Sequence, residues 1–63
     1  MRVFTGNHNL HAIRFYQRRG FRLWAVHRDT ITRAREVKPL IPLFEDGIPI
    51  CDEVELRKTL ASD

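Results

Sequence analysis

Residues 9–21, NLHAIRFYQRRGF, predict a capped helix that runs directly into a strand. The helix follows a polar turn in which either Asn7 or Asn9 can cap the first free amides. Gly20 lies where a helix most readily ends through a left-handed residue, and Phe21 can then fold back onto the last turn. Because these cues close the helix at both ends, the rest of the fold is interpreted around this segment.

The predicted helix is amphipathic. At about 100° per residue, its apolar residues share one broad face and its basic residues group on the opposite side. The apolar face consists of Leu10, Ala12, Ile13 and Tyr16, with Phe15 at its edge. The opposite side carries His11, Arg14 and Arg18. We therefore expect one face to be buried, with Phe21 packed near Tyr16, and the other face to be wet and cationic.

The length of the chain limits it to one domain. A chain of 63 residues buries only about 60% of its unfolded surface. Its single cysteine, Cys51, favours a reducing setting or a thiol without a task. No apolar run approaches the roughly 20 residues that a membrane span requires, and the first residues lack a signal-peptide pattern. We expect a soluble cytoplasmic protein with no membrane partner.

The net charge of +3 conceals a strong asymmetry along the chain. Residues 1–28 contain six arginines and no acid, which gives +6, whereas residues 29–63 contain five basic and eight acidic residues, which gives −3. A wholly cationic first half suggests an anionic partner, such as a phosphate, a nucleic acid or an acidic chain. The alternative is a solvated basic helix face that binds nothing.

Pattern and breaker residues place the other elements. Val3–Thr5 suits a strand, and Phe21–His27 predicts a strand that is apolar on both faces and therefore covered. Asp29 can cap a short helix over residues 30–38, which ends before a proline. Residues 39–50 contain three prolines and an Asp-Gly pair, so they predict an ordered or semi-ordered loop.

The final segment, Glu53–Leu60, alternates in the way that is typical of a strand with one wet face. Its apolar side chains are those of Val54, Leu56 and Leu60, and its polar side chains are those of Glu53, Glu55, Arg57 and Thr59. We expect the apolar set to face the core and the polar set to face water.

The element order β-α-β-(short α)-loop-β predicts an α/β fold, with a partial mixed sheet of about three strands and one main helix. A strand-helix-strand beginning favours a right-handed crossover between parallel strands. These strands need not be neighbours, because the last strand can run antiparallel between them. One helix covers only one face of such a sheet, so Phe4, Trp24 and Val26 require further cover. The chain is expected to be part of a larger sheet.

The helix segment carries a family resemblance. Asn9, Ala12, Tyr16, Gly20 and Phe21, spaced N-x-x-A-x-x-x-Y-x-x-x-G-F, resemble the C-terminal helix signature of the GNAT superfamily of acetyl-CoA-dependent N-acetyltransferases. Residues 15–23 are similar to a common bacterial version of that signature, and residues 39–43 and 47–50 resemble the insertion before that version's last strand. The resemblance spans nearly the whole chain, but only the C-terminal part of a family member. Residues 1–63 are therefore interpreted as a single partial domain of this family.

The resemblance implies an activity and two site residues. In the family, the tyrosine that matches Tyr16 lies near the sulfur of coenzyme A and protonates the departing thiolate, which a phenol can do only with help from its position and environment. The asparagine that matches Asn9 hydrogen-bonds the pantetheine arm of the cofactor or orients its neighbours. Seven residues, or two helical turns, separate them, so both can line one groove. The implied ligands are acetyl-CoA and an amine acceptor.

Each candidate residue also has an interpretation without that chemistry. Tyr16 can be an ordinary core aromatic, and Asn9 can be only a helix cap. His8 and His11 lie three residues apart but lack a third ligand, so no metal site is expected. Arg18-Arg19 with Trp24 can suggest nucleic acid, but no base-reading motif accompanies them. Cys51 has no histidine placed to activate it and is expected to be inert.

The chain also departs from the family pattern. The Gln/Arg-x-x-Gly-x-Gly/Ala turn that holds the cofactor pyrophosphate has no counterpart among its glycines, Gly6, Gly20 and Gly47. Phe4 stands at the strand position from which many members supply a carboxylate base, and the first acid is Asp29. We expect the chain alone to bind acetyl-CoA weakly and to be inactive.

Three hypotheses follow for the function. The first is the C-terminal segment of an acetyltransferase, completed by more chain or by a complementing chain. The second is a non-catalytic module that pairs with itself or with a partner through an open sheet edge. The third, and least favoured, is a small basic nucleic-acid binder. The acceptor amine cannot be identified from these residues.

Overall fold

The last strand of the chain lies at the centre of the sheet. The computed structural model describes residues 1–59. Strands β1 (Arg2–Gly6) and β2 (Arg22–His27) flank β5 (Glu53–Arg57), which hydrogen-bonds antiparallel to both. The first two strands therefore run in the same direction without being neighbours, as the sequence allows.

The fold is α/β, with a three-stranded antiparallel sheet and one main helix. The sequence predicts a mixed sheet, which requires at least one parallel pair. Both pairs within this sheet are antiparallel over the described residues. The difference arises because β5 separates the two strands that would otherwise form the parallel pair.

The main helix, α1 (Leu10–Arg18), has the predicted ends. Asn9 rather than Asn7 is the cap, and its Oδ1 accepts a hydrogen bond from the backbone amide of Ala12 at 3.1 Å. At the other end Gly20 has φ +95°, and the amide of Phe21 donates to the carbonyl of Tyr16 at 3.0 Å. The rings of Tyr16 and Phe21 meet edge to face at 5.3 Å between centroids.

The core lies between α1 and the sheet. Phe21, Val54 and Leu56 are buried, and Leu56 has no exposed surface. Partly buried apolar side chains pack against this group from β1 and α1, namely Val3, Ile13 and Tyr16. The prediction that Leu10 is buried is wrong, because its side chain is 60% exposed. Helical periodicity identifies the apolar face of α1, but it does not say how much of that face a three-stranded sheet can cover.

The second helix, α2 (Thr30–Ala34), is shorter than the predicted range of 30–38. Asp29 precedes it with φ +62°, and its side chain makes no capping hydrogen bond. The carbonyl of Cys51 instead accepts hydrogen bonds from the amides of Ile31 and Thr32 at 2.9 and 3.2 Å. The beginning of α2 is therefore fixed by the segment that leads into β5.

The predicted loop contains a small hairpin. Strands β3 (Phe44–Glu45) and β4 (Ile48–Pro49) pair antiparallel around Asp46 and Gly47, which both have positive φ. Asp-Gly is a favoured sequence for such a two-residue turn. The loop is thus ordered, and its Asp-Gly pair forms the tip of the hairpin.

Two polar side chains attach this loop to the rest of the molecule. The guanidinium of Arg35 donates to the carbonyls of Ile41, Pro42 and Ile50 at 3.1, 2.8 and 2.6 Å. Asn7 uses both ends of its amide. Its Oδ1 accepts from the amides of Cys51 and Asp52, each at 3.1 Å, and its Nδ2 donates to the carbonyl of Pro49 at 2.8 Å. These contacts fix where β5 begins.

Strand β2 is less covered than its sequence predicts. Leu23, Trp24 and Val26 are between 57% and 60% exposed, because β2 is an edge strand of the sheet. A bulge between Leu23 and Ala25 interrupts the register at Trp24. Strand β5 ends at Arg57, so it is shorter than the predicted strand Glu53–Leu60: Lys58 and Thr59 lie beyond it, and Leu60 lies outside the described residues.

The left-handed conformation of Gly20 leads to a prediction. We expect Gly20→Ala to destabilise the chain by about 1–2 kcal/mol, since a Cβ there would lie an acceptable 3.5 Å from Lys58 Cε and backbone strain alone would remain. Gly20→Asn should cost less, because asparagine enters this region more readily. Urea unfolding of the three proteins measures the difference, and equal stability of the alanine variant would contradict this account.

Candidate functional site

Tyr16 lies in the middle of α1, facing the sheet. Its half-buried ring contacts Phe15 and Phe21 edge to face, at 5.4 and 5.3 Å between centroids. The hydroxyl forms no hydrogen bond within residues 1–59. It is not fully buried there either, because the only buried side-chain nitrogen or oxygen without a partner in this part of the chain is Nδ1 of His8. The ring of Tyr16 is thus packed, and its oxygen is not fully enclosed by the described residues.

Asn9 lies about 10 Å before Tyr16 along the helix axis, at 1.5 Å per residue. Its side chain is exposed, and its Oδ1 is occupied by the capping bond to Ala12. The Nδ2 group has no acceptor among the described residues and can donate to a ligand. Capping and ligand contact are therefore compatible at this residue.

An apolar hollow of about 500 Å³ lies between α1 and β2. Ile13 and Val54 line its inner side, and the β2 residues that line it are Leu23, Trp24, Ala25 and Val26. Neither Asn9 nor Tyr16 contributes to this hollow. The apolar hollow and the two candidate residues therefore lie at different places on the surface of the helix and sheet.

The prediction that Glu55 faces water is wrong. The sequence predicts it on the wet face of the last strand, but it is only 3% exposed. Its carboxylate accepts hydrogen bonds from His27 Nε2 at 2.7 Å and from Arg57 Nε at 2.6 Å. Arg57 also lies over the ring of Trp24, with its guanidinium carbon 4.4 Å from the ring centroid. Alternation assigned Glu55 to one face correctly, but it could not reveal the partners that cover it.

The environment of Glu55 makes it a poor general base. The hydrogen bond from Arg57 and then that from His27 hold the pKa of Glu55 below its ordinary value. Glu55 pairs across the sheet with Phe4. It lies on the opposite sheet face from Val54 and Leu56, which pack towards Tyr16. Glu55 and Tyr16 therefore do not share a site.

One end of the molecule is strongly basic. Arg2, Arg57 and Arg22 lie side by side in register across the three strands. Two grooves open at this end, with volumes of about 900 and 510 Å³. The larger is lined by Met1, Arg2, Arg18, Arg19, Gly20, Arg22, Trp24, Arg57, Lys58 and Thr59, and the smaller by His11, Arg14, Phe15, Arg18, Arg19 and Lys58. Among residues 1–59, no acidic side chain lines either groove. We call this surface the basic end.

The remaining candidate side chains offer little chemistry. Burial raises the pKa of the Cys51 thiol, and the hydrogen bond and charge of Asp52 raise it further, which disfavours the nucleophilic thiolate. Within residues 1–59, no three His, Cys, Asp or Glu side chains are grouped to hold a metal ion. His8 instead packs on Gly6 and lies 3.8 Å from Glu45 through its Nε2.

The sequence is similar to two proteins of Bacillus subtilis strain 168. YxbD and YdhI, both described as uncharacterized, are 46% and 41% identical to it over 61 residues, which is 95% of this chain. The chain spans only 38% of the length of each of these relatives. No family model matches the chain, and no solved structure matches it. Among the described helices, neither is long and apolar enough to cross a membrane.

The buried carboxylate leads to a prediction about pH. The pKa of Glu55 is lower in the folded chain than in the unfolded one, so its contribution to stability is complete above the ordinary pKa. That contribution is lost as the pH falls through the folded-state value. We therefore expect Glu55→Gln to destabilise the protein at neutral pH, and the difference from the unmodified chain to shrink as the solution is acidified below about pH 4.5.

The measurement is the free energy of unfolding of both proteins across this pH range. Glu36→Gln is the matched control, because Glu36 is exposed and forms no ion pair in the described part of the chain. A Glu55→Gln difference that stays constant with pH would contradict the assignment.

Proposed function

We propose that this chain is the C-terminal segment of a GNAT-like N-acetyltransferase, which transfers the acetyl group of acetyl-CoA to an amine. The observation that supports this most is the state of Tyr16, two helical turns after Asn9: its hydroxyl is not fully enclosed by residues 1–59 and has no hydrogen-bond partner among them. The capped α1 and its Gly20-Phe21 ending hold both residues in fixed relation. The GNAT resemblance of these positions supplies the chemical interpretation.

The proposed reaction joins the amine nitrogen to the acetyl carbon and breaks the carbon–sulfur bond. Acetyl-CoA supplies the activated acyl group. Tyr16 holds the proton that the departing sulfur accepts, and packing against Phe15 and Phe21 fixes the direction of its phenol. Asn9 donates from Nδ2 to the pantetheine arm, and its Oδ1 keeps α1 capped. The proton lost by the amine passes to solvent, since Glu55 lies on the other face of the sheet.

The described residues fit only part of the cofactor. They provide a phenol for the sulfur and an amide for the arm, but no glycine-rich turn for the pyrophosphate. Gly6, Gly20 and Gly47 lie at the end of β1, after α1 and at the hairpin tip. The longer relatives have ample chain for such a turn, because this sequence spans 38% of their length. We infer that the remainder of an enzyme supplies it, that the chain alone is inactive, and that it works in the cytoplasm.

The test uses a chimera in which this chain replaces the matching 61 residues of YxbD. We expect the folded chimera to bind acetyl-CoA in calorimetry and the isolated chain to bind it far more weakly. A folded chimera without affinity for acetyl-CoA would refute the proposed function. Micromolar binding by the isolated chain would refute its incompleteness.

Variants of the chimera test the two site residues. Tyr16→Phe should lower acetyl transfer by about 10²–10⁴-fold and leave acetyl-CoA affinity nearly unchanged, because it removes only the proton donor. Transfer is followed as release of free thiol with a panel of amines. Asn9→Asp keeps the capping oxygen and removes the donor, so it should weaken acetyl-CoA binding without unfolding α1, whereas Asn9→Ala should do both. Unchanged transfer in Tyr16→Phe would remove Tyr16 from the mechanism.

The second candidate function is a non-catalytic module that binds a second copy or a partner. The observation in its favour is the exposed apolar surface of β2 at an open sheet edge, where Leu23, Trp24 and Val26 are solvated. Sedimentation of the chain with and without Val26→Lys tests it. Concentration-dependent dimers that the lysine abolishes would favour this candidate. Monomers at every concentration would count against self-association.

A further inference from the structure

We propose that the basic end binds the anionic group of the acceptor, so that the acceptor is an amine carrying a phosphate or a similar anion. This inference rests on the proposed function, because it uses the direction in which Asn9 and Tyr16 orient the cofactor. The binding of an anion at this end is nevertheless measurable without acetyl-CoA.

The first argument is the row of arginines in the sheet. Arg2 and Arg22 lie directly opposite Arg57 in register on either side of β5. Like charges directly opposite one another destabilise a sheet. Glu55 pairs with Arg57 at 2.6 Å, but Arg2 and Arg22 form no ion pair within residues 1–59. An anion bound across this row would relieve the repulsion.

The second argument is the groove itself. The larger groove of about 900 Å³ brings together the strand arginines, Arg18 and Arg19 from the end of α1, and Lys58 from the end of β5. The backbone of Lys58 is fixed, because its amide donates to the carbonyl of Met1 at 3.0 Å and its carbonyl accepts from the amino group of Met1 at 3.1 Å. Several guanidinium groups and a lysine line this one groove, and no acid of residues 1–59 lines it with them, so its charge suits a phosphate.

The third argument is the direction from which the acceptor would approach the thioester. If the pantetheine arm lies near Asn9 and the sulfur near Tyr16, the cofactor runs along α1 with its thioester towards the helix end. The acceptor must then approach from the C-terminal side of Tyr16. Arg19 lies only three residues beyond Tyr16, a rise of roughly 5 Å. An acceptor whose amine reaches the thioester and which extends past the end of α1 therefore meets Arg18 and Arg19. The strand arginines lie on the other sheet face, next to Leu56 in register, and share only the groove at this end with Arg18 and Arg19.

The charge of the acceptor follows from this placement. A cationic or neutral amine would gain nothing from the basic end, whereas an amine with a phosphate a few bonds away would satisfy it. Among the acids of residues 1–59, Glu55 reaches this end and pairs with Arg57 at 2.6 Å, but it does not line either groove. Asp52 and Glu53 lie at the start of β5, the opposite end of the strand from Arg57 and Lys58. The arginines of the basic end and these two acids therefore lie at opposite ends of the sheet.

The experiment titrates the isotope-labelled chain, residues 1–63, with O-phosphoethanolamine and with ethanolamine, and follows backbone amides by nuclear magnetic resonance. We expect O-phosphoethanolamine to cause saturable shifts at Gly20, Arg22 and Lys58 that weaken as salt is added. Ethanolamine should cause none. Arg2→Gln with Arg22→Gln should weaken binding about tenfold or more. Arg33→Gln is the control, because Arg33 lies on α2, outside both grooves, and it should leave binding unchanged.

Several results would overturn the proposal. These are equal binding of the two amines, shifts outside the basic end, or binding that the double arginine variant leaves intact. Duplex DNA that binds the same amides while O-phosphoethanolamine does not would assign the surface to nucleic acid instead. Saturable O-phosphoethanolamine binding together with a chimera that cannot bind acetyl-CoA would keep the anion site and refute the transferase, so the two failures are distinguishable.

Discussion

The insertion of β5 between β1 and β2 is the constraint on which the rest of the structure depends. Leu56, the last but one residue of that strand, lies opposite Val3 on one side and Leu23 on the other, and is completely buried. The two outer strands are joined in the sheet only through β5 over the described residues. Helix α1 therefore packs on a surface that exists only after the two ends of the sequence have met. Such long-range pairing is typical of slow folding.

Local chemistry explains why α1 could be predicted in such detail. Asn9, Gly20 and Phe21 act on neighbouring backbone groups, so their roles can be read without knowing the fold. The sequence leaves two arrangements open: the first two strands can be neighbours, or the last strand can lie between them. The strand pairing in the structure selects the second arrangement. The exposure of Leu10 and of β2 could not be predicted, because it depends on how much surface a narrow sheet offers.

The candidate site could likewise be predicted where it depends on residues close together in the sequence, and not where it depends on strand pairing. Tyr16 and Asn9 follow from the spacing within one helix and from the GNAT resemblance. The Glu55 network was missed because its partners, His27 and Arg57, are joined to it by strand pairing and not by a sequence motif. The sequence carries no cue for it, since Glu55 is one of several polar residues that alternate with the apolar ones in this strand. The arginine row at the basic end likewise depends on register, although the excess of arginine before residue 29 pointed to an anionic ligand.

The hydrogen bonds of Asn7 and Arg35 make the position of β5 independent of the tip of the hairpin loop. Both hold main-chain carbonyls or amides at the base of the loop, between Ile41 and Asp52. Neither depends on the identity of the side chains at the tip. Changes in length or composition around Asp46 and Gly47 can therefore accumulate without altering the alignment of β5. This makes the loop a place where related proteins can diverge in outer shape while keeping the same central sheet.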